Sequence, residues 1–157
     1  HPITVIFGMH SLFTPILVNE LTTSGMTHVL CRALAANFAM AGAAVAVGVK
    51  AKKVSTKSVG FSAGVTALLA ATEPALYGVL LPLKRPLIAA CGAAGVAGAV
   101  IGLLGIHAYS MGSFNLFTLS FTIGGDTMTN FYMACGCAAL AFVLGFVFTW
   151  LLGFKED

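Results

Sequence analysis

The chain has 157 residues, with eight Lys or Arg, five Asp or Glu, and 59% hydrophobic residues. Charged residues make up 8%, against roughly 25% in a soluble globular domain, too few to clothe a water-facing surface. A soluble enzyme, a nucleic-acid binder and a disordered chain are excluded on that ground, and lipid is the solvent the composition fits.

Residues 3–18 form a short apolar stretch. It is shorter than the ~20 residues that cross ~30 Å of hydrocarbon as a helix, so it reads as a broken or truncated span. His10 lies inside it, within FGMHSLFTP. Residues 29–49 are long enough to span, with Arg32 as the one charge, and Lys50, Lys52, Lys53 and Lys57 follow. Arg32 has three readings from sequence: a partner of Glu73, a partner of Glu20, or a side chain that snorkels to the interface.

Residues 58–83 are interrupted in the middle by Thr72-Glu73-Pro74, and Lys84-Arg85 come next. Placing both basic clusters on the cytoplasmic side obeys the positive-inside rule. The stretch between them must then enter and leave on one side, as a re-entrant hairpin does. From Lys57 to Thr72 the chain covers roughly 22 Å if helical, which puts Glu73 near the tip, deep in the membrane. Residues 86–106 span outward, with Gly92, Gly95, Gly98, Gly102 and Gly105 on one arc that lets another helix approach closely. Residues 107–130 are rich in Gly, Ser, Thr and Asn and suggest a second re-entrant hairpin, with Asp126 as a loop carboxylate of open role. Residues 131–152 return as the last span, ending in Lys155-Glu156-Asp157.

Helices, not a barrel, suit spans of this length. The expected fold class is an all-α membrane protein, with polytopic transmembrane helices and one or two re-entrant hairpins. Cys31, Cys91, Cys135 and Cys137 all fall in apolar segments without a second ligand pair. They read as small buried hydrophobes, and no metal or cofactor is expected. The chain starts at His1 and carries no recognisable signal peptide, so it reads as part of a longer polypeptide.

Glu73 is the costliest residue to place, because a carboxylate at membrane depth costs at least ~2.5 kcal/mol on insertion scales and such residues face cavities and serve functions. Pro74 removes a backbone donor and breaks the helix there, freeing polar backbone for a ligand. A carboxylate beside unwound backbone suits a sugar hydroxyl, a proton or a cation; the plainer alternative is a Glu that caps a broken helix. A lone His among apolar residues is more often a satisfied core group, but with a deep Glu as partner His10 becomes a candidate donor or proton exchanger. Tyr77, Tyr109 and Phe114 could stack on a sugar ring, although packing or an interfacial place is the commoner role of such aromatics.

The run Thr72-Glu73-Pro74-Ala75-Leu76-Tyr77-Gly78-Val79, followed by Leu83-Lys84-Arg85-Pro86, closely resembles the signature of the sugar-specific enzyme IIC membrane domains of the bacterial phosphotransferase system. His1-Pro2, the Gly8-Met9-His10-(x)4-Pro15 spacing and the Leu152–Asp157 end resemble the same family, in its glucose-superfamily branch of β-glucoside, sucrose and trehalose type. Leu80 stands where relatives commonly carry Asn, and Ala36–Ala39 lack a Gln often found near there.

The resemblance implies that residues 1–157 are a single membrane-embedded substrate-binding portion of a longer enzyme IIC, in the bacterial cytoplasmic (inner) membrane. It implies uptake of a sugar, a β-glucoside or disaccharide, coupled to phosphorylation of its 6-hydroxyl. The donor would be a phosphocysteine on an enzyme IIB domain, supplied in turn by enzyme IIA and the phosphocarrier protein. Glu73 and His10 would act at the reacting hydroxyl, with Thr72 and Pro74 beside them, and a homodimer would form through an N-terminal half outside this chain. The chain itself holds no phosphorylated cysteine motif, and no nucleic acid is expected. The competing reading is a secondary transporter or channel that uses Glu73 as a proton or cation site without phosphorylation.

Overall fold

A computed structural model describes residues 2–69, 71–112, 116–123 and 128–155, without the side chains of His10 and Thr118. Asp126 and Phe114 lie outside the described residues. Among the described residues three helices are long and apolar enough to cross a membrane: α3 (Val29–Lys50), α7 (Arg85–Leu104) and α8 (Thr129–Leu152). They match the three full-length spans expected from sequence, and the fold is an all-α membrane protein.

α3 is the axle of the bundle. Of its most apolar stretch 83% is buried, against 28% for each of the other two, so the latter turn most of their surface outward. α7, α8 and α4 (Val54–Leu68) all pack against α3. The reason is side-chain size. Ala35, Ala39, Gly42, Ala43 and Ala46 form small-residue faces on α3, which let backbones approach closely where no hydrophobic drive separates helix from lipid. A Cβ at Gly42 would run into the Phe142 carbonyl, and one at Gly145 into the Ala39 carbonyl. Gly48 and Gly60 bring α3 and α4 equally close, a Cβ at Gly60 lying 2.6 Å from the Gly48 nitrogen.

The glycine arc of α7 does something else. Gly95 and Gly98 have no atom within 4 Å of a built Cβ, and Gly102 meets only the Arg32 guanidinium. Gly92 meets Phe148 of α8, but among the described residues no helix packs closely on the arc at Gly95, Gly98 or Gly102. The arc there lines instead an apolar groove of about 580 Å³, with Arg32 at its wall. Arg32 is exposed there, and among the described residues it has no carboxylate partner, so neither ion pair considered for it forms.

The N-terminal stretch is broken, as its length implied. α1 (Pro2–Ile6) ends at a turn, a 3₁₀ turn follows at Met9–Leu12, and α2 (Phe13–Ser24) has 12 residues, too few to span. Gly8 makes the turn with φ +68°, a conformation that costs glycine little, and its N–H donates to the Val5 carbonyl at 2.9 Å.

Each end of the bundle has its own chemistry. At one end Lys50 Nζ donates to the Trp150 carbonyl at 2.6 Å and sits 5.3 Å from the centroid of the indole. Arg85 Nη1 reaches the Leu152 carbonyl at 3.4 Å. Both cations thus meet the last carbonyls of α8, where the helix dipole favours positive charge. At the other end Thr27 and Ala108 exchange backbone hydrogen bonds of 2.8 and 2.9 Å. Asn130 Nδ2 donates to the carbonyls of His107 and Thr122 at 2.7 and 3.0 Å. His28 and His107 meet edge to face, with ring centroids 5.6 Å apart.

Glu20 completes that second end. Its Oε2 accepts from the Thr27 hydroxyl at 2.6 Å and from the His28 N–H at 3.0 Å, at the start of α3. The Thr27 hydroxyl bond leads in lowering the Glu20 pKa from its ordinary 4.5, with desolvation opposing. A depressed carboxylate pKa contributes stability above the unfolded value, which is lost as pH falls through the folded one. Thr27→Val should therefore destabilise the protein at about pH 6 and cost progressively less below about pH 4.5. Melting temperatures of both proteins across that range check this, since a pH-independent difference would show that Glu20 is not the cause.

One backbone position is strained. Lys84, between α6 (Leu81–Leu83) and α7, has φ +56° and ψ −55°, and it is the one non-glycine residue of positive φ among those described. Such a conformation costs an L-residue with a Cβ roughly 1–2 kcal/mol. Lys84→Gly should raise stability by about 1 kcal/mol in a thermal unfolding series, whereas Lys84→Ala should not.

Candidate functional site

The interruption at residues 69–74 has a clear local cause. α4 stops at Leu68, and the N–H groups of Leu69 and Ala71 both donate to the Thr66 carbonyl at 3.0 Å, closing the helix end on itself. The chain then resumes helix in α5 (Glu73–Ala75), with Pro74 in the first turn, where a missing N–H costs nothing. The Leu76 N–H donates to the Thr72 carbonyl at 2.8 Å. The result is two helical arms joined by a break, and the second arm packs back on the first and on α3.

Thr72 and Glu73 differ in environment. Thr72 is 5% exposed, whereas Glu73 and Pro74 are exposed on the surface of the break. A carboxylate at the first residue of a helical arm sits where the partial positive charge of the N–H groups favours it. Glu73 thus has the place of an acceptor held at a broken helix, and its carboxylate is open for a ligand to reach.

After Ala75 the helix widens. Leu76–Leu80 form a π-helix, in which the Leu81 N–H bonds the Leu76 carbonyl. Pro82 gives the reason, since it lacks the N–H that would bond the Gly78 carbonyl in an α-helix. Single π turns are often found at functional sites. Sequence reasoning missed this widening, although Pro82 four residues after Gly78 was a signal for it.

The π turn presents Tyr77, and its hydroxyl donates to the carbonyls of Val5 and Ile6, each at 3.2 Å. The segment after Glu73 is thereby joined to the end of α1, immediately before the turn that leads to His10. The backbone of His10 lies in the 3₁₀ turn Met9–Leu12. Two stretches some 65 residues apart in sequence, each carrying one residue of the expected site, are joined by this hydroxyl and by Val5, which lies in one buried apolar cluster with Ala75, Leu76, Val79 and Leu80. The hydroxyl bond puts Tyr77 in a tethering position. Tyr109 lies at the far end of the bundle, with its hydroxyl 3.0 Å from His107 Nε2.

The groove beside the α7 glycines is elsewhere. Its walls are mainly apolar, and among the described residues that line it none has a hydroxyl or carboxylate side chain. A smaller cleft of about 220 Å³ opens between the two arms, lined by Ser55, Thr56, Val59, Gly78, Val79, Pro82 and Leu83.

Comparison with known proteins supplies the context for this geometry. The chain is 43% identical over 125 residues to a β-glucoside-specific EIIBCA component of the phosphotransferase system from Halalkalibacterium halodurans, covering 79% of this chain and 20% of that protein. It is 35% identical over 157 residues to the arbutin-, cellobiose- and salicin-specific EIIBC component of Escherichia coli K12, covering 99% of this chain and 32% of the relative. The sucrose-specific EIIBC component of Vibrio alginolyticus is 37% identical over 155 residues, 97% of this chain and 32% of that one. No family model and no solved structure matches. The chain spans a third or less of the length of these relatives. Over that length it belongs to the family of sugar-specific EIIBC and EIIBCA components of the phosphotransferase system.

Proposed function

We propose that the chain is the substrate-binding portion of an enzyme IIC, which binds a sugar and presents its 6-hydroxyl for phosphorylation during uptake. The observation that carries this reading is the break at Thr72-Glu73-Pro74, where an open carboxylate stands at the start of a helical arm, in a chain related along its length to phosphotransferase components. The sugar class is a β-glucoside or a disaccharide, in line with the names of the relatives.

The chemistry follows from the residues. The 6-hydroxyl oxygen attacks the phosphorus of a phosphocysteine on the IIB domain; the O–P bond forms, the S–P bond breaks, and the thiolate leaves. Glu73 accepts the hydroxyl proton, and His10 holds the same oxygen in line. A positioned proton acceptor contributes about 10²–10⁴ in rate, and orientation supplies much of the remainder. The IIB domain docks at the end that carries Lys50, Lys84 and Arg85, taken as the cytoplasmic end by the positive-inside rule. On that placement residues 58–83 form a re-entrant hairpin with its tip in the bacterial inner membrane; the second hairpin expected over 107–130 lies in part outside the described residues. Enzyme IIA and the phosphocarrier protein act upstream, and a homodimer forms through portions outside this chain.

Vesicles holding the full-length protein and a labelled β-glucoside test the reading. Uptake that requires the phosphoenolpyruvate chain and delivers sugar 6-phosphate is expected. Uptake of unmodified sugar driven by a proton gradient alone would establish the competing reading, in which Glu73 is a proton site.

A further inference from the structure

We infer that Tyr77 is a positioning residue, whose hydroxyl sets the His10 turn against the Glu73 break. The inference rests on the proposal that Glu73 and His10 serve one sugar site. The tie is made of few atoms. Val5 and Ile6 are the last residues of α1, and a helix ends with carbonyls that have no partner within it. The Val5 carbonyl accepts from the Gly8 N–H at 2.9 Å, which shapes the turn, and also faces the Tyr77 hydroxyl at 3.2 Å. The Ile6 carbonyl takes the other share of that proton, at 3.2 Å. One hydroxyl therefore fixes both the end of α1 and the start of the turn that carries His10.

Three features separate this role from packing. The Tyr77 side chain is 45% exposed, so its ring adds little to the core, while Leu76, Val79 and Leu80 beside it are buried and do that work. The residue sits in the π turn, whose extra residue per turn shifts the direction of the side chains from Leu76 onward relative to an α-helix. Its hydroxyl, the one part a phenylalanine lacks, makes the polar contact between the two segments, while Val5 packs beside Leu76 and Val79 in the apolar cluster and keeps α1 in place. Removing it should leave the helices in place and release the turn.

The test uses the full-length protein in membranes, with Tyr77→Phe, His10→Ala, Glu73→Gln and the double variant Tyr77→Phe/His10→Ala. Tyr77→Phe should lower kcat for sugar phosphorylation at least about tenfold, as expected for a reacting group displaced by a fraction of an ångström. The sugar Kd should change less than about threefold, and the melting temperature should stay within about 3 °C. Backbone amide exchange across residues 8–12 should speed up about tenfold. In the His10→Ala background Tyr77→Phe should cost nothing further, because the two residues act through one geometry. Wild-type kcat and unchanged exchange in Tyr77→Phe would overturn the inference, as would a full additive loss in the double variant. Wild-type behaviour of Glu73→Gln and His10→Ala would refute the sugar site itself, and a faster amide exchange in Tyr77→Phe would then leave the tether established as a structural one.

Discussion

Glu73→Gln in the full-length protein should lower sugar phosphorylation about 10³-fold and weaken sugar binding about tenfold. The substitution keeps the size of the side chain and removes its charge and its ability to take a proton. The first effect is the larger because the proton moves only in the transition state, so the lost interaction counts fully against kcat and only partly against binding. The fold should survive, since Glu73 is exposed at the break and its favourable place at the start of a helical arm is worth under about 1 kcal/mol at an exposed site. Phosphorylation and binding measured separately on purified protein check both numbers. A variant that binds sugar tenfold less tightly but transfers phosphate at the wild-type rate when saturated would mean that Glu73 recognises the sugar without serving as base.

The second large effect concerns the bundle. Gly145→Ala and Gly42→Ala should each destabilise the protein by about 2–3 kcal/mol, as expected for a methyl forced into a close-packed contact. The reason lies on both sides of the α3–α8 crossing. Gly145 faces the Ala39 carbonyl and Gly42 faces the Phe142 carbonyl, so either methyl strikes backbone, which cannot rotate away as a side chain would. Gly136→Ala, on the same α8 but with nothing within 4 Å, is the control and should be neutral or slightly stabilising. Thermal unfolding in detergent separates the three. Equal losses at Gly136 and Gly145 would show that helix backbone, and not the crossing, governs the effect.

The three long spans were legible because more than twenty residues with at most one internal charge, Arg32 in α3, admit few other structures, and α3, α7 and α8 follow them closely. The break at Thr72-Glu73-Pro74 was legible for a local reason, as a proline beside a carboxylate cannot continue a buried helix. Glycine spacing was less informative. The Gly98-x-x-x-Gly102 pair has the form of a contact, yet Gly98 faces open space and Gly102 meets only Arg32, while Gly42, Gly48, Gly60 and Gly145 make the close approaches. Spacing marks a face of small residues but does not say what lies opposite, which depends on the whole bundle.

The same limit applies to the polar residues. Glu20 was one of two carboxylates offered to Arg32, but the Thr27 hydroxyl and the His28 N–H are nearer and compete for it at the start of α3. The partners of Tyr77 lie some 70 residues earlier in the chain, so no local pattern could announce them. The pairing of His10 with Glu73 rested on a deep carboxylate as its possible partner and then on family resemblance, because each residue taken alone had a plainer explanation. The Tyr77 bond to Val5 and Ile6 is the physical support for bringing their segments together.

The central claim is that the Glu73 carboxylate accepts the hydrogen bond of the sugar 6-hydroxyl, the contact on which the proton transfer depends. Binding of a sugar and its 6-deoxy analogue to wild-type and Glu73→Gln protein measures that contact alone. The wild-type protein should prefer the hydroxylated sugar at least about tenfold, because the analogue leaves a carboxylate without its donor, and Glu73→Gln should lose most of that preference. An equal preference in both proteins would contradict the account.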